Sequence, residues 1–295
     1  MRISVVIPTL ARIEMLRATL ESIRRCSPPP FEIIVVDGDD AGGSRDVVSS
    51  ADAASSFPIS YVASERGLTR QRNAGIRAAG GDVILFLDDD VELDPSLFAT
   101  LSRVYGDAGV VGATGRIVEW APPRIGRKES RIRRLLPGGG AEGGFTRYGY
   151  PRRLVDVETP RDVEFMQGCF MSGRSEDVEA VGFDESLPGY ALAEDEDFSF
   201  RLSRRGRIRY EPDARLEHKN MGFTTKDPRA FDRQVMVNRT YLFRKNFDPG
   251  LLARLQFVLL FFVLVGHRLI NREWQGARGL VEGAVEAWRT RGARG

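Results

Sequence analysis

A mixed, mainly parallel α/β sheet flanked by helices, with a helical C-terminal extension, is the fold class this sequence predicts. Three observations carry it. In the first third of the chain, short β-branched apolar runs alternate with stretches of helical periodicity, the pattern of strand–helix–strand units. One of those runs, Val83 to Leu87, is apolar without interruption, as a strand buried on both faces must be. Beyond Asn220 the pattern turns mainly helical and stays so.

Element by element, Ile3 to Ile7 reads as the first strand. Ile13, Leu16, Leu20 and Ile23 follow at helical spacing, and Ser27-Pro28-Pro29-Pro30 breaks that helix. Glu32 to Val36 is a second strand ending at Asp37, and a Gly- and Asp-rich loop follows it. Ile59 to Val62 makes a third strand, Leu68 to Ala79 a helix closed by Gly80-Gly81, and Val83 to Leu87 a fourth strand running into Asp88-Asp89-Asp90. Between Arg124 and Arg153, nine Lys or Arg stand against two Glu with no sustained periodicity, which predicts a mobile basic loop over about residues 122–155. Order resumes at Glu164 to Met171, with a helix over Ser175 to Val181. A further helix begins near Glu194 and carries Phe198, Leu202 and Arg205. The expected organisation is a catalytic domain over residues 1–245 and a helical, partly apolar extension over 246–295.

Composition narrows the function classes. With 42% hydrophobic and 28% charged residues the chain has an ordinary globular balance, and a net charge of +2 gives no basis for a nucleic-acid binder. The two cysteines, Cys26 and Cys169, form no disulfide framework and no metal-ligand spacing. They read as small buried hydrophobes in a reducing cytoplasm. Ile3 to Ile7 is too short for a signal h-region. Leu255 to Gly266 is uncharged but falls short of the roughly 20 residues a membrane span needs. It fits either a buried helix or one lying in the membrane interface. Trp274 and Trp288 among arginines favour peripheral contact with the cytoplasmic membrane face.

Ligands of open α/β sheets bind at the carboxyl ends of the strands. Pro8-Thr9, Asp37 to Asp40 and Asp88 to Asp90 stand at three such ends. Adjacent aspartates repel, and a divalent cation is the usual compensation. If the segment is extended, Asp88 and Asp90 project to one side and Asp89 to the other. Oxygen ligands suit Mn²⁺ or Mg²⁺ completed by substrate phosphates. In Glu194-Asp195-Glu196-Asp197 the helix dipole and an Asp197–Arg201 pair account for some of the acids, leaving a candidate general base. His218, in the hydrophilic stretch Glu217 to Asn220 that reads as a turn, can complete a metal site or touch a diphosphate.

Taken together, VVIPTLAR (Val5 to Arg12), IIVVDGDD (Ile33 to Asp40), GLTRQRNAGIRAAGGDVILFLDDD (Gly67 to Asp90), QGCFMSGR (Gln167 to Arg174), VGFDE (Val181 to Glu185) and EDEDFSFRL (Glu194 to Leu202) resemble family 2 glycosyltransferases over roughly residues 1–245. These are inverting enzymes with the GT-A, Rossmann-like nucleotide-diphospho-sugar transferase fold. The resemblance implies a single-sugar transfer from a nucleotide-sugar donor to a hydroxyl of a glycan or lipid-linked acceptor in cell-envelope polysaccharide synthesis. It implies Pro8, Thr9 and Asp37 around the nucleobase and ribose, Arg12 and Arg66 as looser nucleotide contacts, and Arg72 and Asn73 beside the donor pocket. Asp88 and Asp90 match the DXD motif, with Asp90 as the direct metal ligand; Asp89, which alternation makes a bystander or a residue supporting the ligands from behind, is counted with the donor-binding residues. Asp195 sits at the place of the base with Glu194 beside it, His218 assists the metal, and Gly168 passes near the donor sugar. A sugar nucleotidyltransferase and a non-catalytic scaffold of the same fold are the rival readings; a dinucleotide oxidoreductase would need a G-x-G-x-x-G after the first strand, which is missing.

Overall fold

The computed structural model describes residues 1–119, 141–154, 157–187, 191–219, 227–247 and 250–289. Most of the expected basic loop lies outside the described residues. The chain divides into two compact units, Met1–Trp120 with Arg153–Asn220, and Ala121–Arg152 with Met221–Gly295.

The first unit is built on β1 (Ile3–Thr9), β2 (Glu32–Asp37), β3 (Ile59–Ala63), β4 (Val83–Leu87), β5 (Val91–Leu93), β6 (Val110–Glu119), β7 (Arg161–Val163), β8 (Phe170–Arg174) and β9 (Arg207–His218). These pair in the order β3-β2-β1-β4-β8-β6-β9-β5, with β7 also on β9. The β3-β2-β1-β4 half is parallel, and β8 enters antiparallel to both β4 and β6. Alternate strand residues feed two separate cores. Val5, Ile7, Ile33, Val35, Leu85 and Leu87 face one, and Val6, Ile34, Val36, Ile84 and Phe86 the other. Helix α1 (Ile13–Arg24) covers the first core through Leu16, Leu20 and Ile23. On the other face, α3 (Leu68–Ala78) contributes Ala74 and Ile76. The remaining helices of this unit are α2 (Arg45–Ala53), α4 (Leu97–Val104), α5 (Ser175–Val181) and α6 (Glu194–Ser203). Strand β4 between the two cores is wholly apolar, and the buried polar residues of the neighbouring strands, Ser4 of β1 and Ser172 of β8, are hydrogen-bonded.

Three expectations need correcting. The stretch after Asp37 is not all loop, since it contains α2, whose core contact rests on Val47 and Val48 and leaves little periodicity to read. Glu217 and His218 are not in a turn but end the long strand β9, held by Ile208, Tyr210, Ala214 and Leu216 in the core. Arg205 lies just past α6 rather than on it.

The second unit contains α7 (Pro228–Asn246), α8 (Leu251–Ile270) and α9 (Trp274–Arg289). Asp227 caps α7, accepting from the amides of Arg229 and Ala230, with Pro228 at the first helical position. Helix α9 lies close on α7: a Cβ on Gly279 would meet the Arg229 carbonyl oxygen at 2.2 Å, and one on Gly283 the Arg233 carbonyl oxygen at 2.4 Å. Arg229–Glu282 and Arg233–Glu286 pairs flank that seam. Helix α8 runs for 20 residues, longer than its uncharged centre. Only Ala253 and Leu260 of it are buried, so the buried-helix reading fails. Leu251, Leu255, Val258, Phe262 and Leu269 form an exposed apolar stripe along it.

Candidate active site

Two strand registers triangulate the site. Leu87 of β4 stands opposite Phe170 of β8, so continuing the antiparallel register sets Asp88 beside Cys169. Val91 of β5 stands opposite His218 of β9, and the Lys219 amide donates to the Asp90 carbonyl at 2.9 Å. The acidic triplet is thereby held between β8 and the end of β9. Donor atoms of Asp88, Cys169 and His218 all lie within 4.8 Å of one another. His218 Nε2 is 3.2 Å from Asp90 Oδ1.

The triplet is not extended. Asp89 and Asp90 form a turn pinned from behind by Thr19 of α1, whose hydroxyl lies 2.9 Å from the carbonyls of both Asp89 and Val91 and 3.1 Å from the Val91 amide. Strict alternation of side chains therefore does not apply. Asp89 is no bystander: it is buried, accepts from Thr9 Oγ1 at 2.8 Å, and pairs with Arg12 Nη1 at 2.7 Å. Arg12 also reaches Asp90 Oδ2 through Nη2 at 2.6 Å. Burial pushes the Asp89 carboxyl up to about 6 against Arg12 and Thr9. At Asp90 burial acts in the same sense, but hydrogen bonding from His218 and Arg12 prevails and holds the carboxyl down at about 2.

On the other side of the triplet, α6 begins after Ala193, which takes a left-handed φ of 71° and turns the chain into the helix. This brings Glu194 and Asp195 to the start of β8. The Gly168 amide donates to Asp195 Oδ2 at 3.1 Å, and the Glu196 amide donates to Oδ1 at 2.9 Å. Arg72 of α3 is buried to 1% side-chain exposure. It donates to Glu194 Oε1 at 2.6 Å and to the Gly168 carbonyl at 3.0 Å, and lies 3.5 Å from Asp88 Oδ1. A Cβ on Gly168 would sit 3.2 Å from Glu194 Oε1 and 3.4 Å from Arg72 Nη2, so this position favours glycine. One guanidinium thus faces two carboxyls, Glu194 and Asp88, with the charge of Asp195 acting on it as well. Burial, with Asp195 beside it, pushes Glu194 up to about 8.

Asp88, Asp89, Asp90, Arg12, Thr9, Arg72, Glu194, Asp195 and His218 are therefore one connected set. The other expected residues are placed differently. Asp37 is buried and spent on its own loop, accepting from the Asp39 amide and from the Ser44 hydroxyl at the start of α2. Pro8 is buried in β1 opposite Val36. Asn73 clamps the following loop, bonding the Phe183 amide and carbonyl and Glu185 Oε1. Arg66 is exposed ahead of α3. The residue that sequence reasoning missed is Cys169, whose relation to Asp88 and His218 depends on strand register and leaves no local spacing.

The donor set fits a divalent cation. A carboxylate, an imidazole and a thiol converge, and an ion about 2.0–2.3 Å from each ligand bridges such a span with small side-chain movement. The buried Asp90 Oδ1 accepts no well-aligned hydrogen bond beside this trio.

Comparison with known proteins agrees with the geometry. The family model described as glycosyl transferase family 2 matches residues 4–182. An uncharacterized glycosyltransferase of Bacillus subtilis, YwdF, is 37% identical over 122 residues, 41% of this chain and 44% of that protein. The GalNAc(5)-diNAcBac-PP-undecaprenol beta-1,3-glucosyltransferase of Campylobacter jejuni is 30% identical over 105 residues, 35% of this chain and 34% of that protein. The matched stretches thus span less than half the length of these relatives. Among solved structures, the mannosyltransferase PcManGT from Pyrobaculum calidifontis, in complex with GDP-Man and Mn²⁺, superposes with a TM-score of 0.62 at 15% identity, covering 97% of this chain and 87% of that one. TarS residues 1–349 of S. aureus, in complex with UDP-GlcNAc, gives 0.59 at 17% identity, covering 90% and 71%. The fold is GT-A.

Proposed function

The chain belongs to glycosyl transferase family 2, and on that premise we propose that it moves one sugar from a nucleotide-diphosphate-sugar to a hydroxyl acceptor with inversion. The observation that carries this reading is the Gly168 bridge. Its amide holds the proposed base Asp195 while its carbonyl takes Arg72, which reaches on to Asp88. Base and donor-side acids are thereby fixed to one backbone segment. Preorganisation of this kind favours a single displacement across the site.

Asp195 would accept the proton of the attacking hydroxyl through Oδ1 or Oδ2, with the Gly168 and Glu196 amides setting its direction. Asp88, Asp90 and His218 would hold Mn²⁺ or Mg²⁺, which when bound neutralises charge on the departing nucleoside diphosphate. Thr9, Arg12 and Asp89 form the wall beside it, where the nucleotide would lie, with Pro8, Asp37, Arg66, Arg72 and Asn73 assigned to the donor on resemblance. Donor turnover across a panel of nucleotide-sugars with Mn²⁺ tests the activity. In Asp195→Asn, turnover should fall by ~10²–10⁴-fold with donor binding nearly kept. Near-wild-type turnover in that variant would remove Asp195 as the base.

The acceptor class we propose is a glycan or lipid-linked glycan, reached from the cytoplasmic face of a membrane. The relative from Campylobacter jejuni acts on an undecaprenol-linked glycan by its name. In this chain, α8, at 20 residues, is long and apolar enough to cross a membrane by length and composition, and of its residues only Ala253 and Leu260 are buried. Exposed Arg254 lies near the start of this helix and exposed Arg272 and Trp274 follow its end, a composition suited to an anionic interface. Flotation with anionic liposomes, using the full chain and Val258→Glu, checks this. Full-chain protein left at the bottom of the gradient would end the membrane proposal.

A further inference from the structure

The thiol of Cys169 is placed by the fold and is not used by the proton transfer. It belongs to the apolar core by burial, at 2% exposure. Here the sulfur stands within 4.8 Å of ligand atoms of both Asp88 and His218. Its place follows from two constraints that have nothing to do with a metal. The β4–β8 register sets residue 169 opposite residue 88, and Gly168 before it is tied by its amide to Asp195 and by its carbonyl to Arg72. The sulfur is therefore held at the junction of the donor-side acids and the base.

We propose that Cys169 is a metal ligand of this site, forming with Asp88 and His218 a mixed oxygen, nitrogen and sulfur set. This deepens the donor-site reading and rests on it. The consequence is metal choice. Carboxylate and water ligands suit Mg²⁺ and Mn²⁺, whereas imidazole and thiolate draw softer ions such as Zn²⁺, Co²⁺ and Cd²⁺. Added to the Asp88, Asp90 and His218 ligands proposed above, the thiolate should make the site prefer Mn²⁺ to Mg²⁺ and take Co²⁺ or Cd²⁺ more tightly than either. On binding, the thiol gives its proton to solvent and the sulfur takes the metal bond, so uptake releases a proton.

The chain has only two cysteines, which makes a spectroscopic test selective. Co²⁺ and Cd²⁺ are titrated into the full chain, alone and with UDP or GDP, and thiolate-to-metal charge transfer is followed in the near ultraviolet. In Cys26→Ser the remaining thiol is Cys169, and the band should persist. In Cys169→Ser and Cys169→Ala, checked for folding by circular dichroism, the band should vanish. Cd²⁺ affinity should then drop by at least the roughly 10–100-fold seen when a site loses even an outer partner. Calorimetric binding of Co²⁺ or Cd²⁺ to Cys26→Ser without a charge-transfer band would overturn the thiol ligand and leave the donor-site reading standing. Absence of any metal binding, with or without nucleotide, would overturn both.

Discussion

Arg72→Met removes the one buried cation shared by Asp88, Glu194 and Asp195, and its effect should depend on pH in a defined sense. The guanidinium donates to Glu194 at 2.6 Å and to the Gly168 carbonyl at 3.0 Å from a fully buried position. Breaking a buried ion pair costs about 3–5 kcal/mol when the partner stays charged. Glu194, however, is already raised to about 8, so at pH 6 it carries a proton in the folded protein. The variant then loses the guanidinium's hydrogen bonds to a neutral carboxyl and a carbonyl and leaves those acceptors unmet, about 1–3 kcal/mol. Removing the cation raises the carboxyl further. Because a folded-state pKa above the unfolded one gives stability that is lost as pH rises through it, the wild type has lost that contribution above about pH 8 while the variant is still losing it. The penalty of Arg72→Met should therefore grow between pH 8 and pH 9.5, towards the charged-pair limit. Urea midpoints at pH 6 and 9.5 measure this; at an m-value of about 3 kcal/mol/M the shift is roughly 0.3–1 M at the lower pH and larger at the higher. Adding Glu194→Gln should suppress most of the increment. A penalty equal or smaller at pH 9.5 would refute the idea that this buried cation holds the Glu194 carboxyl down.

Asp90→Ala should weaken Mn²⁺ and donor together by calorimetry and leave either unchanged only if Asp90 serves Arg12 alone. Native-state alkylation at pH 8.5 should spare Cys26, whose thiol burial pushes up to about 12, and reach it only on unfolding; rapid labelling of the folded chain would contradict that burial. Gly279→Ala places a Cβ 2.2 Å from the Arg229 carbonyl oxygen and should lower stability by about 1–3 kcal/mol, read as a fall in thermal midpoint; a neutral result would mean α7 and α9 separate freely.

The parallel half of the sheet was legible because β1, β2, β4, α1 and α3 are each written in one period against a sealed core. Strand β4 was placed at its observed bounds, Val83–Leu87, and α5 at Ser175–Val181. The site's acids were legible for the same reason, as polar residues stand out at the end of an apolar strand. What escaped was set by pairing across the sheet. Strand β9 alternates Ile208, Tyr210 and Leu216 with charged residues, and a register shift where Gly115 and Arg116 of β6 meet it interrupts the alternation. His218 was named as a candidate but put in a turn for that reason, where the structure has the end of a strand. Cys169 has no motif because its partners lie about 50 to 80 residues away. The partners of Asp89, Thr9 and Arg12, were equally illegible, because they lie about 80 residues upstream in the chain.

That Arg12 contact has a consequence for how the protein comes to exist. With Thr9 and Thr19, it completes the acidic turn using groups of the chain itself. Asp89 and Asp90 are thereby compensated by groups of the chain itself. Stripping metal with a chelator should then leave the thermal midpoint nearly unchanged, because little of the free energy of metal capture is tied up in holding the polypeptide together.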